Sequence, residues 1–280
     1  MKIKTFLITL FAVSLVFVGC MNSGKKKEAE TKTEEVTYEP NYVGNEVTYS
    51  NDSITMKGYI AFDENATEKK PGVLVVHEWW GHNDYSRQRA DMLAELGYTA
   101  LAVDMYGDGK NAEHPEDAGK FAGMVMSNMP SAKSRFMAAM NELKNHPSVD
   151  PDNIAAIGYC FGGSVVLTMA NAGMDLDAVA AFHSGVGLPV MPNEDLKAKV
   201  LVCNGADDPF IAPESVEAFK VKMDSINADY KYIAYEGAKH SFTSKEANAN
   251  GEKFGLPLEY NAEADQKSWQ ELQNLLNEVF

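Results

Sequence analysis

One cysteine, Cys160, lies in a sequence context typical of an enzyme nucleophile. It is the centre of the pattern Gly158-Tyr-Cys160-Phe-Gly162, between an apolar run at residues 153–158 and an apolar stretch at residues 164–171. Glycines two residues to either side let a strand and a helix approach closely around a sharp turn, with the nucleophile at the helix N-terminus. The partial positive charge there favours a reactive thiolate. The alternative is a buried cysteine beside packing glycines, since free cysteine is among the most buried residue types.

A cysteine nucleophile needs a base, and the base needs an acid that orients it. Among the six histidines, His240 follows the last predicted strand on a short polar loop. His183 also ends a predicted strand, but it precedes the candidate acids and breaks the order nucleophile, acid, histidine. We interpret it as a pocket wall or a core residue. The candidate acids are the adjacent Asp207 and Asp208. Only one of them is expected to meet the histidine, and Asp207 could instead cap the turn.

Strand and helix patterns alternate from residue 43 onward. Two segments flanking a turn predict an antiparallel hairpin at the edge of a sheet, at residues 43–50 and 54–62. Further strands are predicted at residues 72–76, 98–103, 153–158, 178–182, 199–203 and 230–235, and helices at 87–96, 115–146 with a break near Pro130, 164–171, 213–226 and 263–280. This alternation predicts an α/β fold, a mostly parallel, doubly wound sheet of about eight strands with helices on both faces. The functional crevice should lie at the carboxyl ends of the strands.

The N-terminal segment is typical of an exported lipoprotein. Two lysines precede a nearly unbroken apolar stretch at residues 5–19, which is shorter than the roughly 20 residues that a membrane-spanning helix needs. It ends in Val-Gly-Cys20, which resembles the lipobox of bacterial lipoproteins. We therefore predict a signal peptide at 1–20, lipidation at Cys20, a flexible polar tether at 21–42 and a folded domain at 43–280. The protein would be exported and anchored by lipid to a bacterial membrane, on its periplasmic or cell-surface side. An ordinary signal peptide with a chance cysteine is the alternative.

Composition excludes several classes of function. The formal net charge is −15, which argues against nucleic acid as a partner. The three cysteines are far apart in the sequence, so neither a disulfide framework nor a structural zinc site is indicated. His77 and His82 resemble a zinc-protease pair, but they are five residues apart instead of four and follow a strand. We predict neither a metal nor a cofactor.

Five motifs in order resemble those of the dienelactone hydrolase family of α/β-hydrolases. They are His-Glu-Trp-Trp-Gly at 77–81, Ala-Val-Asp-Met-Tyr-Gly-Asp-Gly-Lys at 102–110, Gly-Tyr-Cys-Phe-Gly-Gly at 158–163, Gly-Ala-Asp-Asp-Pro-Phe at 205–210 and His-Ser-Phe at 240–242. The resemblance implies a catalytic triad of Cys160, Asp208 and His240. It also implies that Glu78 interacts with the resting thiol and moves aside when substrate arrives, and that the backbone amides of Trp79 and Phe161 form the oxyanion hole.

The chain lacks the arginines with which some family members bind their substrate. Family members that act on dienelactone hold the substrate carboxylate with arginines, one of them shortly after the Asp-x-Tyr strand end. Here that stretch is Tyr-Gly-Asp-Gly-Lys at 106–110, and no arginine follows Arg135. An apolar aromatic pocket is predicted instead, although any of its members could be core: Trp80, Tyr106, Phe210 and Phe242, with Trp79 and Phe161 beside them.

The leading hypothesis is a hydrolase of small carboxylic esters or lactones that acts through an acyl-cysteine intermediate. One alternative is a ligand-binding lipoprotein that keeps the fold without catalysis, and another is a structural lipoprotein.

In the family's strand order, the strand that ends at Phe182 separates Cys160 from Cys203. Two strand spacings amount to roughly 9–10 Å, beyond the ~7 Å limit for a disulfide. Both thiols should therefore remain free.

Overall fold

The computed structural model describes residues 38–51 and 53–280. The predicted signal peptide, Cys20 and residues 21–37 of the predicted tether lie outside the described residues. One compact unit comprises Tyr38–Phe280. The Tyr38 hydroxyl and the Asn41 amide both donate hydrogen bonds to Asp63, which fixes the last part of the predicted tether to the sheet.

The sheet has eight strands in the order β1-β2-β4-β3-β5-β6-β7-β8. The first two form the predicted antiparallel hairpin at one edge, β2 pairs antiparallel with β4, and all other neighbours are parallel. The strands are β1 Tyr42–Ser50, β2 Thr55–Asp63, β3 Lys70–Val76, β4 Thr99–Val103, β5 Val149–Tyr159, β6 Ala178–Phe182, β7 Lys199–Gly205 and β8 Tyr230–Tyr235. The predicted mostly parallel, doubly wound sheet is confirmed.

Seven helices accompany these strands in the described part of the chain. They are α1 Asp84–Glu95, α2 Pro115–Met126, α3 Met129–Asn145, α4 Phe161–Asn171, α5 Pro213–Ser225, α6 Ala247–Phe254 and α7 Ala262–Val279. The predicted helix at 115–146 is divided into α2 and α3, with Pro130 in the first turn of α3. The sequence patterns missed α6, because only Ala247 and Gly251 of that helix are buried and no apolar stripe marks it.

Successive residues of the central strands point into two separate cores. In β5, Ile154 packs with α3, α4 and α5 on one face of the sheet, whereas Ile157 packs with α1 and α7 on the other. Because both faces are covered, the strand is apolar at every position from Ile154 to Tyr159. Because β3, β5, β6, β7 and β8 are parallel, their carboxyl ends meet at one edge of the sheet, whose central strands are buried on both faces.

Candidate active site

Cys160 lies at the sharp turn between β5 and α4. Its backbone has φ 53° and ψ −117°, a region that residues with a side chain rarely occupy. The adjacent strand fixes the turn, since the Cys160 amide donates a hydrogen bond to the Phe182 carbonyl at 2.9 Å. Strain of this kind persists where the surrounding structure imposes it, and it places the half-buried thiol at the N-terminus of α4.

The glycines around Cys160 are required by close backbone contacts. A Cβ at Gly158 would lie 2.2 Å from the Gly162 carbonyl oxygen, and one at Gly162 would lie 2.2 Å from the Val76 carbonyl oxygen. These distances are well below the closest approach of real atoms, so α4 can pack over β3 and β5 only without side chains there. The Gly-x-Cys-x-Gly pattern thus reflects the packing of a helix onto two strands.

His240 connects the thiol to a buried carboxylate. Its Nε2 atom is 3.1 Å from the Cys160 Sγ atom, and its Nδ1 atom is 2.7 Å from Oδ2 of Asp208. The Asp208 side chain is fully buried, and its other oxygen accepts a hydrogen bond from the Phe210 amide at 2.9 Å. Three loops, after β5, β7 and β8, therefore bring together the three residues of a nucleophile, base and acid arrangement.

The charge around His240 favours its protonated form. Burial of the imidazole opposes protonation, but the Cys160 sulfur and the Asp208 carboxylate outweigh burial and raise the pKa of His240 to about 10. An imidazolium beside a sulfur atom stabilises a thiolate, the nucleophilic form of cysteine. The arrangement can therefore supply a nucleophile and a proton donor within one hydrogen bond of each other.

Of the two adjacent aspartates, only Asp208 faces the histidine. Asp207 is exposed, and its backbone amide donates to the Ala238 carbonyl at 3.0 Å. That bond joins the loop after β7 to the loop that carries His240. The two neighbours thus have different surroundings, since Asp207 lies in the turn directly after β7 and is exposed, whereas the Asp208 side chain is buried against His240.

The backbone amides of Trp79 and Phe161 are the predicted oxyanion hole, and Phe161 follows Cys160 directly in the chain. In the described part of the chain, neither the Trp79 nor the Phe161 amide donates a hydrogen bond within the protein. The backbone of Trp79 is held in place by Tyr106, whose hydroxyl donates a hydrogen bond to the Trp79 carbonyl at 2.8 Å. Preorganised amides of this kind can stabilise the charge of a tetrahedral intermediate.

Glu78 is hydrogen-bonded to the loop that carries His240. Its Oε1 atom accepts a hydrogen bond from the Ser241 hydroxyl at 2.9 Å. The Glu78 side chain is buried, and burial raises its pKa. Ser241, next to His240 in the chain, has φ 57° and supplies the donor that a buried carboxyl group needs. The glutamate is therefore held beside the histidine loop.

The four predicted pocket residues have different environments. Phe210 is 52% exposed and packs edge-on against His240, with ring centroids 5.0 Å apart. Trp80 is largely buried and stacks on Phe254 of α6. The pocket assignment of Phe242 is wrong, because this side chain is fully buried in the core between the sheet and α7. Tyr106 is also buried, and its ring packs against Phe161 beneath the site.

Two further histidines, His183 and His77, pack against residues of the site. His183, with φ 40°, is fully buried and hydrogen-bonds through Nε2 to Thr243 Oγ1 at 2.8 Å, while its ring packs edge-on against that of His240. His77 stacks under Phe161 and accepts a hydrogen bond from the Met105 amide. Sequence patterns did not indicate Thr243, because its role depends on contacts between distant segments.

The basic side chains near the site already form hydrogen bonds or ion pairs with other groups. Arg135 donates to the carbonyls of Met105 and Tyr106, and Lys110 pairs with Asp108. In the part of the chain that the structure describes, no lysine or arginine forms a hydrogen bond or ion pair with Cys160 or His240.

The described residues contain no cluster of potential metal ligands. None of the helices in the described ranges is long and apolar enough to cross a membrane.

The chain is similar to known proteins in both sequence and fold. The chain is 28% identical over 208 residues to the protein usf of Aquifex pyrophilus, covering 72% of this chain and 88% of that protein. A solved structure named m3DLH is 35% identical, with a TM-score of 0.81 over 85% of this chain and 99% of that one. A dienelactone hydrolase-like promiscuous phosphotriesterase from metagenomic libraries is 33% identical, with a TM-score of 0.79 and the same coverage. The model of the dienelactone hydrolase family matches residues 56–280, nearly the whole folded unit, so the chain belongs to that family of hydrolases.

Proposed function

We propose that this protein hydrolyses carboxylic esters or lactones through an acyl-cysteine intermediate. The observation that carries the proposal is the chain of two hydrogen bonds from the Cys160 thiol through His240 to the buried Asp208 carboxylate. The strained turn at Cys160 and the raised pKa of His240 support it. The dienelactone hydrolase family supports hydrolysis as the reaction class.

In the first half of the reaction, the Cys160 sulfur attacks the carbonyl carbon of the substrate. The carbonyl oxygen becomes negatively charged and is bound by the amides of Trp79 and Phe161. As the C–O bond to the alcohol breaks, the His240 imidazolium gives its Nε2 proton to the leaving oxygen. The products are a free alcohol and a thioester on Cys160.

In the second half, His240 is neutral and accepts a proton from a water molecule. The resulting hydroxide attacks the thioester carbon, the oxyanion forms again at the same two amides, and the C–S bond breaks. The acid leaves, and Cys160 with protonated His240 is regenerated. Asp208 keeps the imidazole oriented throughout, because it accepts the Nδ1 hydrogen in both halves of the reaction.

A ligand-binding lipoprotein without catalysis is the competing function. It would need neither a reactive thiol nor free amides beside it. The test is to assay the full-length protein on phenyl acetate, short alkyl esters and small lactones, with Cys160→Ala in parallel. We expect turnover by the wild type and none by the variant, whose circular dichroism spectrum should be unchanged. Activity of the variant within threefold of wild type would refute the cysteine mechanism.

We further propose that the protein is exported and held at a bacterial membrane by lipid on Cys20. This rests on the sequence of residues 1–20 and on the polar segment that follows. Two or more acyl chains give a much firmer anchor than one chain. Expression in a bacterial host fed radiolabelled palmitate should label the wild-type protein. Cys20→Ser should abolish labelling and release the protein from the membrane fraction, and a labelled Cys20→Ser protein would contradict the proposal.

A further inference from the structure

Arg89 of α1 is a buried cation that the mechanism proposed above does not use. It is 5% exposed, and its Nη2 atom donates hydrogen bonds of 2.7 Å to the Thr243 carbonyl and to the Asp265 carboxylate of α7. Its guanidinium group also lies against three aromatic rings, those of Tyr85, Tyr159 and Trp269. Arg89 therefore joins α1 and α7 to the loop that carries His240.

Thr243, three residues after His240, is held through both its backbone and its side chain. Arg89 binds its carbonyl, and its Oγ1 atom is hydrogen-bonded to the Tyr85 hydroxyl. The same Oγ1 atom is 2.8 Å from Nε2 of His183, and the Tyr85 oxygen accepts from Nε of Arg89 at 3.3 Å. Hydrogen bonds therefore run without a break from Arg89 through Tyr85 and Thr243 to His183. We call these four residues the Arg89 chain.

The guanidinium group sets the direction of the hydrogen bonds in the Arg89 chain. It can only donate, so the Tyr85 hydroxyl is left to donate to Thr243, and Thr243 to Nε2 of His183. In this order only Nδ1 of His183 has no partner among the described residues. The opposite order would also leave the Tyr85 hydrogen without an acceptor. His183 is therefore neutral with its hydrogen on Nδ1, and burial, which lowers its pKa well below the usual value, agrees with this.

His183 connects the Arg89 chain to the base of the triad. Its ring packs edge-on against the His240 ring, with centroids 5.4 Å apart, and Phe210 makes a similar contact at 5.0 Å. Phe210 is half-exposed and a phenyl ring accepts no conventional hydrogen bond, whereas His183 is fully buried and is fixed by Thr243. A neutral His183 also adds no positive charge beside the His240 imidazolium. The orientation of the His240 ring therefore depends on His183 as well as on Asp208.

We propose that the Arg89 chain positions His240, so that Nε2 of the imidazole stays within hydrogen-bonding distance of the Cys160 sulfur. This inference rests on the proposed function, in which His240 is the base and the proton donor. Arg89, Tyr85 and Thr243 are positioning residues, because they act on His240 only through other groups. Their loss should therefore lower kcat and leave KM nearly unchanged, since a small displacement of a reacting group costs up to about 10²-fold in rate.

The test compares two substitutions of Thr243 in the full-length protein. Thr243→Val removes the hydroxyl but keeps the shape of the side chain and the carbonyl that binds Arg89, whereas Thr243→Ser keeps the hydroxyl. With phenyl acetate as substrate, we expect Thr243→Val to lower kcat by about tenfold to 10²-fold, with KM within about threefold of wild type. Thr243→Ser should keep kcat within about threefold of wild type, because the hydrogen bonds are restored. A wild-type kcat in Thr243→Val, or an equal loss in both variants, would overturn the proposal.

The rate at which iodoacetamide alkylates Cys160 at pH 7 is a second measurement, and it does not require ester hydrolysis. The imidazolium of His240 stabilises the reactive thiolate, so a displaced His240 leaves less of it. Thr243→Val should be alkylated about threefold to tenfold more slowly than the wild type, and Thr243→Ser at the wild-type rate. If the wild type hydrolyses no ester, the proposed function fails, and the alkylation rates still decide this inference. Equal rates for the wild type and Thr243→Val would then overturn it.

Two further variants separate positioning from folding. Tyr85→Phe breaks the Arg89 chain one link earlier and keeps the ring beside Arg89, so kcat and the alkylation rate should each fall by about threefold to tenfold. It decides the question if Thr243→Val does not fold, and wild-type values for it would overturn the proposal. Thr99→Val is the matched control, because Thr99 is 1% exposed and bonds to Ser148 at the opposite end of the sheet from Cys160. It should leave both rates unchanged, and a loss as large as that of Thr243→Val would refute a specific role for the chain.

Discussion

Both carboxylate oxygens of Asp208 are occupied, one by the His240 ring and one by the Phe210 amide. The side chain is thus fixed in the orientation that accepts the Nδ1 hydrogen. Asp208→Asn replaces one of these oxygens with a donor, which disfavours the tautomer that can accept a proton at Nε2. We expect kcat to fall by about 10²- to 10⁴-fold.

Asp207→Asn is the control for that prediction. The Asp207 side chain is exposed, and its backbone bond to Ala238 does not depend on the carboxylate. Its kcat should stay within about twofold of wild type, as surface substitutions are usually mild. Steady-state kinetics on phenyl acetate would measure both variants. A larger loss for Asp207→Asn than for Asp208→Asn would contradict the assigned roles.

The two described cysteines should differ strongly in reactivity. Cys203 is fully buried in β7, and burial raises the pKa of its thiol to about 12, so it is neutral and inaccessible at pH 7. Cys160 is half-buried and is paired with His240. Brief treatment with iodoacetamide followed by peptide mapping should find alkylation at Cys160 and not at Cys203, with a matching loss of esterase activity. Preferential labelling of Cys203 would argue against Cys160 as the nucleophile.

At the scale of elements, the close packing of α4 on β3 and β5 sets the position of the nucleophile. A Cβ added at Gly162 meets the backbone of Val76, which cannot move without displacing β3. Gly162→Ala should therefore cost more than the ~1–3 kcal/mol typical of overpacking, and it should lower the urea midpoint of unfolding or prevent folding.

Gly123→Ala in α2 is the matched control. Apart from the backbone of its own helix and its chain neighbours, no atom lies within 4 Å of a Cβ built at Gly123, and the residue lies inside a helix. Alanine there should stabilise the protein by about 0.5–1 kcal/mol, through helix propensity and a less flexible unfolded chain. The two urea midpoints should therefore move in opposite directions. A stable Gly162→Ala protein would mean that the turn at Cys160 tolerates a looser contact.

At the scale of the whole molecule, charge should restrict the substrates. The chain carries a formal net charge of −15, and the cations near the site are paired or bound to carbonyls. A negatively charged acyl group would be repelled, since among the described residues Arg135 and Lys110 already have other partners. Methyl hydrogen succinate should therefore have a kcat/KM at least about tenfold below that of neutral dimethyl succinate, and the difference should shrink in high salt. A faster reaction with the anionic ester would show that a cation reaches the site.

The sequence alone determined the elements that surround the site. The apolar runs of β3, β5 and β6 and the glycines around Cys160 are local signals, because a strand buried on both faces and a close helix contact each require particular residue types at fixed spacing. The alternating order of strands and helices then limits the topology to very few arrangements. For these reasons, the eight-stranded sheet and the turn at Cys160 could be predicted.

Only the tertiary structure decided which side chains meet. Local patterns do not say which of two adjacent aspartates faces His240, or that Glu78 bonds to Ser241, 163 residues away in the chain. The direction of each side chain in these loops depends on the packing of segments from β3, β7 and β8 against one another. The same packing buries Phe242 in the core, and it holds α6 in place although only Ala247 and Gly251 of that helix are buried.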